Sequence, residues 1–496
     1  FFIGASICLL VLLGIGLSYS MWNMSISQNS NNVIATTNEC FDITLTNQSN
    51  TINLENAYPI SDTKGKTLIP FTFTIKNTCQ MAASYSVNLE SLKGSTLSSR
   101  FIKVMVNDNN PKMLNSLEST DTVNTGSIES RVLDTGTIFK NKTKEYSIRL
   151  WIDYDTTLED LNNEIKVLKS KIIVKGVPSD EKEPVPDLLT ERIPYLAESD
   201  TTNLASDDPD NNIRYIGKNP NNYVYFNCSD YANQTADTCE KWRIIGLFNN
   251  IIKSDGSKEN LVKIIRADSL GKYSWDSSDS SINNGFGIND WTNADLMKLL
   301  NPGYDSEVVG GSLYYNSKSG NCYNGRENST TSCDFTSIGI RNDKTRNAIE
   351  SVVWNLGGAS DLSKLGIKDF YSLERGTKVY NGRPIVWTGK IGLMYPSDYG
   401  YATSGSTMKS RTDCLSFGMF FWDNPDYNDG ILIRTLTSDN EYPERGVVLY
   451  DHGNINRFDS MSYTSAVVVP SLYLKASFKI KAGDGSENSP YQLNIE

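Results

Sequence analysis

Residues 391–400 read IGLMYPSDYG. Ile391–Tyr395 is an apolar run of strand length. Pro396-Ser397-Asp398 has the composition of a turn whose serine or aspartate satisfies backbone N–H groups. The stretch is therefore expected to end a buried strand, with Tyr399 and Tyr401 packed or displayed just beyond it. Strands continue on both sides. GRPIVWTGKIGLMY (382–395) leads in, GVVLYDHGNINR (446–457) follows as a hairpin turning at Asp451–Asn454, and AVVVPSLYLKASFKIK (466–481) and GDGSENSPYQLNI (483–495) close the chain. Further upstream, KWRIIGLFN (241–249) and NLVKIIRAD (260–268) form two more strands. Two helices are expected between them. WTNADLMKLLNPG (291–303) has Thr292 as N-cap, Asp295 at N3 and a stop at Asn301-Pro302-Gly303, and DKTRNAIESVVWNLGG (343–358) ends at Gly357-Gly358. Helices early and strands late make residues 213–496 an α+β domain with a central antiparallel sheet.

Working back toward the N-terminus, residues 179–212 carry prolines and acids with little apolar period and read as a linker, in which LLTERIPYLA (188–197) can dock. Within it, SDDPDNN lacks the D-x-D-x-D-G order of a calcium loop. Residues 40–178 alternate apolar and polar residues in TLIPFTFTIKN (67–77), ASYSVNL (83–89), RFIKVMVN (100–107), EYSIRLWID (145–153) and SKIIVKGV (170–177), the pattern of an all-β sandwich. TLEDLNNEIKVL (157–168) is the single helical patch expected there. Residues 23–39 form a polar spacer. Residues 1–22 hold no charge and are long enough to span a bilayer, which takes about 20 apolar residues. The chain opens on Phe1 rather than Met, so a basic flank is expected to precede it. A flank of that kind places everything after residue 22 outside the cell, in a single-pass protein.

The chain of 496 residues has a formal net charge of −11, which argues against nucleic acid as a partner. Of its eight cysteines, Cys8 sits in the apolar segment and Cys414 is left over. Cys40/Cys79, Cys228/Cys239 and Cys322/Cys333 are expected to form disulfides in polar loops. With no C-x-x-C and one histidine, no metal site is expected.

PFTFTIKNTCQMAASYSVNLESL, GTIFKNKTKEYSIRLWIDYD and IIVKGVP, following a membrane segment, resemble the biofilm-fibre and camelysin-type surface proteins of Gram-positive-type bacteria. That resemblance implies a sandwich that is displayed or polymerises outside the cell. WRIIG, WTNADLMKLLN, GKIGLMYPSDYGYA, RTLTS and VVPSLYLK resemble an uncharacterised domain of gut-bacterial surface proteins. More distantly, they are similar to the C-type-lectin-like fold of the formylglycine-generating enzymes. That activity needs a C-terminal cysteine pair for copper, and Cys414 alone follows Cys333, so the resemblance stops at the scaffold.

Catalytic motifs fare no better. Ser406-x-x-Lys409, Ser438-Asp439-Asn440 and Lys318-Ser319-Gly320 match the three signature motifs of penicillin-binding enzymes. The serine, however, lacks a helical period to bring the lysine beside it, and the K-S-G element comes first instead of last. His452 lies at a hairpin tip, and no G-x-S-x-G or phosphate-binding loop occurs. Glu374, Glu444 and Asp398 are conceivable glycosidase acids that sequence alone does not bring together. Phe420–Asp429, FFWDNPDYND, combines aromatic faces with oxygen ligands. Trp422, Asp423, Asn424 and Asp426 are thus the candidate ligand loop, for a glycan or calcium. No catalytic residue and no cofactor is expected, calcium apart. The chain reads as a bacterial cell-surface protein for binding or adhesion, its partner an extracellular glycan or protein. Self-association as a fibre subunit is the alternative, and a secreted hydrolase the least favoured. No L-P-x-T-G signal lies near its C-terminus.

Overall fold

Phe71-Thr72-Phe73-Thr74-Ile75 turns alternate side chains to opposite faces of a strand; Phe71, Phe73 and Ile75 are buried while Thr72 and Thr74 are half-buried. This alternation organises the N-terminal part of the computed structural model. The structure describes residues 25–28, 32–35, 41–45, 52–122, 125–277, 281, 283–405, 410–416, 432–450 and 454–495. The chain divides into two units, Phe1–Pro184 and Val185–Glu496. Strands dominate both.

The first unit contains β1 (Ser25–Gln28), β2 (Asn32–Ala35), β3 (Phe41–Leu45), β4 (Pro59–Ile60), β5 (Phe71–Asn77), β6 (Ala82–Leu92), β7 (Ile102–Val106), β8 (Lys112–Met113), β9 (Ser127–Ile138), β10 (Thr143–Asp153) and β11 (Ser170–Ser179). They form two sheets, β1-β2-β11-β6-β9 and β3-β5-β10-β7-β8, with β4 beside β10. Tyr85, Val87 and Leu89 from one sheet and Phe73, Ile75, Val104 and Ile148 from the other meet in a single buried cluster. The sheets are also tied by polar bonds. Tyr146 on β10 donates to Asp134 Oδ2 on β9 at 2.7 Å, so the 2.6 Å contact between the Tyr85 and Tyr146 hydroxyls must have Tyr85 as donor.

All five strands expected in this unit form. β9 was not foreseen, because its sequence, SIESRVLDTGTI, is polar at most positions. The helix expected at 157–168 is absent. Residues 157–164 make successive turns, with Asn162 and Asn163 at φ 55° and 56°, a left-handed conformation that asparagine tolerates and a helix does not.

In the second unit, a seven-stranded antiparallel sheet runs in the order Leu204–Ala205, Ile213–Tyr215, Glu240–Ile252, Lys258–Arg266, Pro470–Leu474, Ile391–Leu393, with Tyr223–Phe226 beside Glu240–Ile252. Gly246 sits at a bulge where the strand of Arg214 crosses so closely that a Cβ would lie 2.2 Å from the Ile213 carbonyl oxygen. Part of the span read as linker is folded here. Leu189–Ala197 is a helix, and its Leu189 and Ile193 enter the core of this unit. Gly446–Tyr450 and Asn454–Phe458 pair as the hairpin read from sequence, with the tip at 451–453 outside the described residues.

Both expected helices are shorter than the sequence suggested. The first is Asp295–Leu300, and Thr292 is not its cap: Asp290 Oδ1 accepts from both the Thr292 backbone N–H and its hydroxyl, which closes a turn one step earlier. The Asp295 carboxylate accepts from Ser277 N instead. The second helix, Asp343–Ala348, is capped by Asn342 and stops where β-branched Val352-Val353 begin a strand paired with Val386–Gly389. A third helix, Ile367–Glu374, was missed. Disulfides join Cys228 to Cys239 and Cys322 to Cys333. Cys79 is disulfide-bonded, whereas Cys40 and the apolar segment 1–22 lie outside the described residues. Cys414 is buried. Among the described residues no helix is long and apolar enough to cross a membrane.

Replacing Tyr146 with Phe strips Asp134 and the Tyr85 hydroxyl of their shared partner. The loss should be about 1–3 kcal/mol of first-unit stability, read from the urea midpoint, while a Tyr→Phe change at exposed Tyr58 should leave that midpoint unmoved.

Candidate functional site

The IGLMYPSDYG stretch turns out to end in a one-turn helix, Pro396–Gly400, entered through a proline that pre-sets its backbone. Asp398 Oδ2 accepts from Tyr395 N at 3.0 Å, so the aspartate satisfies a backbone N–H as its sequence suggested. It also does more. Its two oxygens bind Arg214 Nη1 at 3.0 Å and Lys263 Nζ at 2.6 Å, and Arg214 Nε turns to Asp208 Oδ2 at 2.7 Å. All four side chains are essentially without solvent exposure. Two cations and two anions balance. Phe248 and Tyr401 cover the Arg214 guanidinium at 4.6 and 5.1 Å, and Tyr395 and Trp354 flank Lys263 at 4.5 and 5.0 Å. Burial pushes the Asp398 carboxyl up, but the Lys263 and Arg214 charges outweigh it and hold the group at about 2.

Glu374 borders this network from the helix Ile367–Glu374. Oε1 accepts from Ser397 N at 2.9 Å, Oε2 from the Ser397 hydroxyl, and Arg375 Nη1 lies 3.3 Å away. Burial dominates here and pushes the carboxyl up to about 7 against the pull of Arg375 and Ser397. A raised and a depressed carboxyl side by side is a signature of acid–base chemistry, and Glu374 and Asp398 were conceivable glycosidase acids. Among the described residues, the cavity that touches Asp398 measures about 20 Å³, room for roughly one water molecule and too little for a sugar.

The other candidates divide between dispersed and undescribed positions. Ser438 ends a strand, Asp439 accepts from Glu441 N and Tyr442 N, and Asn440 donates to Gly358 O. Lys318-Ser319-Gly320 opens the hairpin of the Cys322–Cys333 disulfide, with Lys318 facing Asp305 at 3.8 Å. The two tripeptides thus have separate partners. Glu444 accepts from Asn283 Nδ2 at 3.3 Å, away from the Glu374 network. Ser406–Lys409, His452 and the loop residues Trp422, Asp423, Asn424 and Asp426 lie outside the described residues.

Two features were not read from sequence. Asp276 and Asp295 face one another, each accepting a backbone N–H (Ile288 N at 2.8 Å and Ser277 N at 2.9 Å), and burial with the Asp295 charge pushes Asp276 up to about 7. The cavity at Asp295 is only about 10 Å³. By contrast, a groove of about 460 Å³ lies between the helix Asp343–Ala348, the segment after strand Pro470–Leu474, and residues 494–495. Lys344, Asn347, Lys475, Ser477, Phe478 and Lys479 line it. Its volume falls in the range of roughly 300–1,000 Å³ typical of small-ligand sites. Spacing in the sequence could not reveal it, because its walls come from segments some 130 positions apart. Among the described residues no group of three or more His, Cys, Asp or Glu is placed to hold a metal ion. No family model matches this chain, and no curated protein matches it.

Removing the Asp398 carboxylate leaves Arg214 and Lys263 buried without their shared counter-ion. Asp398→Ala should cost about 3–5 kcal/mol in denaturant unfolding of the second unit. The pH dependence separates the two acids. Asp398, depressed in the folded state, contributes stability that is present above its ordinary 3.8 and lost as pH falls toward about 2. Glu374, raised in the folded state, contributes stability that is full below its ordinary 4.5 and lost as pH rises through about 7. Between those two values the urea midpoint of the wild type should fall relative to that of Glu374→Gln, which has no carboxyl to titrate.

Proposed function

We propose that the chain is a membrane-anchored bacterial cell-surface protein whose second unit, Val185–Glu496, binds an extracellular ligand. The observation that carries this reading is the contrast between its interior and its surface. The buried acids are locked into ion pairs beside cavities the size of a water molecule, while an open groove of ligand size lies on the outside. Disulfides in the Cys228–Cys239 and Cys322–Cys333 loops suit an oxidising exterior. The anchor is the uncharged segment 1–22, and the β-rich part of the first unit is a β-sandwich.

The second unit is best read as C-type-lectin-like. Its entering and closing segments are stitched together, Leu189 N to Phe478 O at 2.9 Å and Tyr225 N to Tyr491 O at 2.9 Å, around a central antiparallel sheet. In that reading the candidate residues Trp422, Asp423, Asn424 and Asp426 are the ones that take the ligand.

One observation favours the fibre alternative. β9 is paired with β6 on one side, and on the other only its residues 130–132 meet a neighbour, at 118–120. Among the described residues, 133–138 offer an open edge to a strand from another molecule.

Both readings are testable on the detergent-solubilised full chain against an array of glycans and matrix proteins, with calcium and with chelator. Saturable binding is expected, and chelator sensitivity would assign it to Trp422–Asp426. No binding, together with a sedimentation coefficient that grows with protein concentration, would replace the binding reading with the fibre.

A further inference from the structure

We propose that the groove between Lys344 and Lys479 binds an acidic oligosaccharide, its lysines taking the carboxylate or sulfate groups and its amides and hydroxyl the sugar hydroxyls. The inference rests on the binding reading above and names its ligand class. The charge is the first argument. The chain carries 58 acidic and 47 basic side chains, yet three lysines line this groove and none of the described residues lining it is acidic. Among the described residues Lys344 and Lys475 form no ion pair, and the pair of Lys479 with Asp187, 3.2 Å and more than half exposed on both sides, is of the weak, displaceable kind. A fourth lysine reports the local field. Lys390, whose ammonium donates to Arg346 O and Ile349 O, is held below its usual range by burial and then by the charge of Lys475, against the opposing pull of Glu350.

The kind of anion follows from the residue types. Lysine presents a compact charge on a flexible stem and lacks the planar fork that selects a single bidentate phosphate or carboxylate, so three lysines suit acids spaced along a chain. Asn347 and Ser477 supply hydrogen-bonding groups of the kind sugar hydroxyls use, and the half-buried Phe478 ring supplies an apolar wall. A long nucleic acid would need an extended positive field, and a net charge of −11 opposes one beyond the groove.

The test is fluorescence polarisation of labelled oligogalacturonate with the detergent-solubilised full chain, and a neutral glucan of equal length as control. The variant is K344E/K475E, at two exposed positions outside the core, with thermal unfolding to verify the fold. Expected is saturable binding of the acidic oligomer alone, weakened about tenfold or more by the double reversal and declining as salt is added. Acidic-oligomer binding that survives the reversal would remove the groove from the site and leave the broader binding reading standing. Lysine-dependent binding of single-stranded DNA or anionic vesicles that exceeds that of the oligomer would overturn the ligand class. Failure of acidic glycans, neutral glycans and matrix proteins alike to bind would overturn both.

Discussion

The Asp398 carboxylate, held between Arg214 and Lys263, is the contact on which the second unit depends. Arg214 comes from the strand at the start of the unit, Lys263 from the central hairpin, and Asp398 from the turn after Leu393, so one carboxylate joins segments almost 200 residues apart. Charges this deep are tolerated only when each has its partner, because desolvation otherwise exceeds the Coulombic gain. Here each has one, and aromatic rings occupy the faces that hydrogen bonds leave over. Hydrophobic burial around Trp242, Ile264 and Leu472 supplies the bulk of the driving force. The ion network adds directional preference, since sliding a strand by one residue would turn Arg214 or Lys263 to the other face and strand a charge.

That network explains why the opening stretch resembles an active site. A serine, an aspartate and tyrosines on a tight turn after a buried strand are what a catalytic loop needs, and also what a buried polar joint needs. The distinction lies in access. Glu374 and Asp398 have the divergent proton affinities of an acid–base pair, but they acquire them from burial and from neighbouring cations, and the cavity that touches Asp398 holds only about 20 Å³. Perturbed acids mark function only where a cavity accompanies them.

Legibility followed the range of the interactions. Period-2 alternation decided the strands at 71–77, 82–92 and 143–153 because one face of each is buried, a local consequence of sheet packing. β9 escaped because an edge strand tolerates charge on its open side, and Glu129, Arg131 and Asp134 broke the pattern. The helix Ile367–Glu374 was legible and passed over: Ile367, Phe370, Tyr371 and Glu374 recur at helical spacing, and the Asp369 carboxylate caps the Gly366 N–H. The overlong helix at 343–358 failed for the opposite reason. Val352 and Trp354 fit a helical face equally well, and only the partner strand at 386–389, remote in sequence, made them a β-pair. The cysteine spacings at 228/239 and 322/333 were read correctly because closing a short polar loop is itself a local matter.

The groove belongs to the other extreme, and its chemistry follows from what the core leaves unused. Lys475 stands at the first position after the buried strand Pro470–Leu474, where the backbone N–H still binds Ala348 O at 3.1 Å and fixes the chain while the side chain is released to solvent. Lys344 occupies the first turn of its short helix, where a cation is opposed by the helix dipole. Neither position requires a lysine for folding, and the Lys475 charge opposes that of nearby Lys390. In a chain with an excess of acids, the absence of a carboxylate among the described residues of the groove wall is therefore a cost that the fold does not impose. An anionic ligand would supply the missing counter-charge.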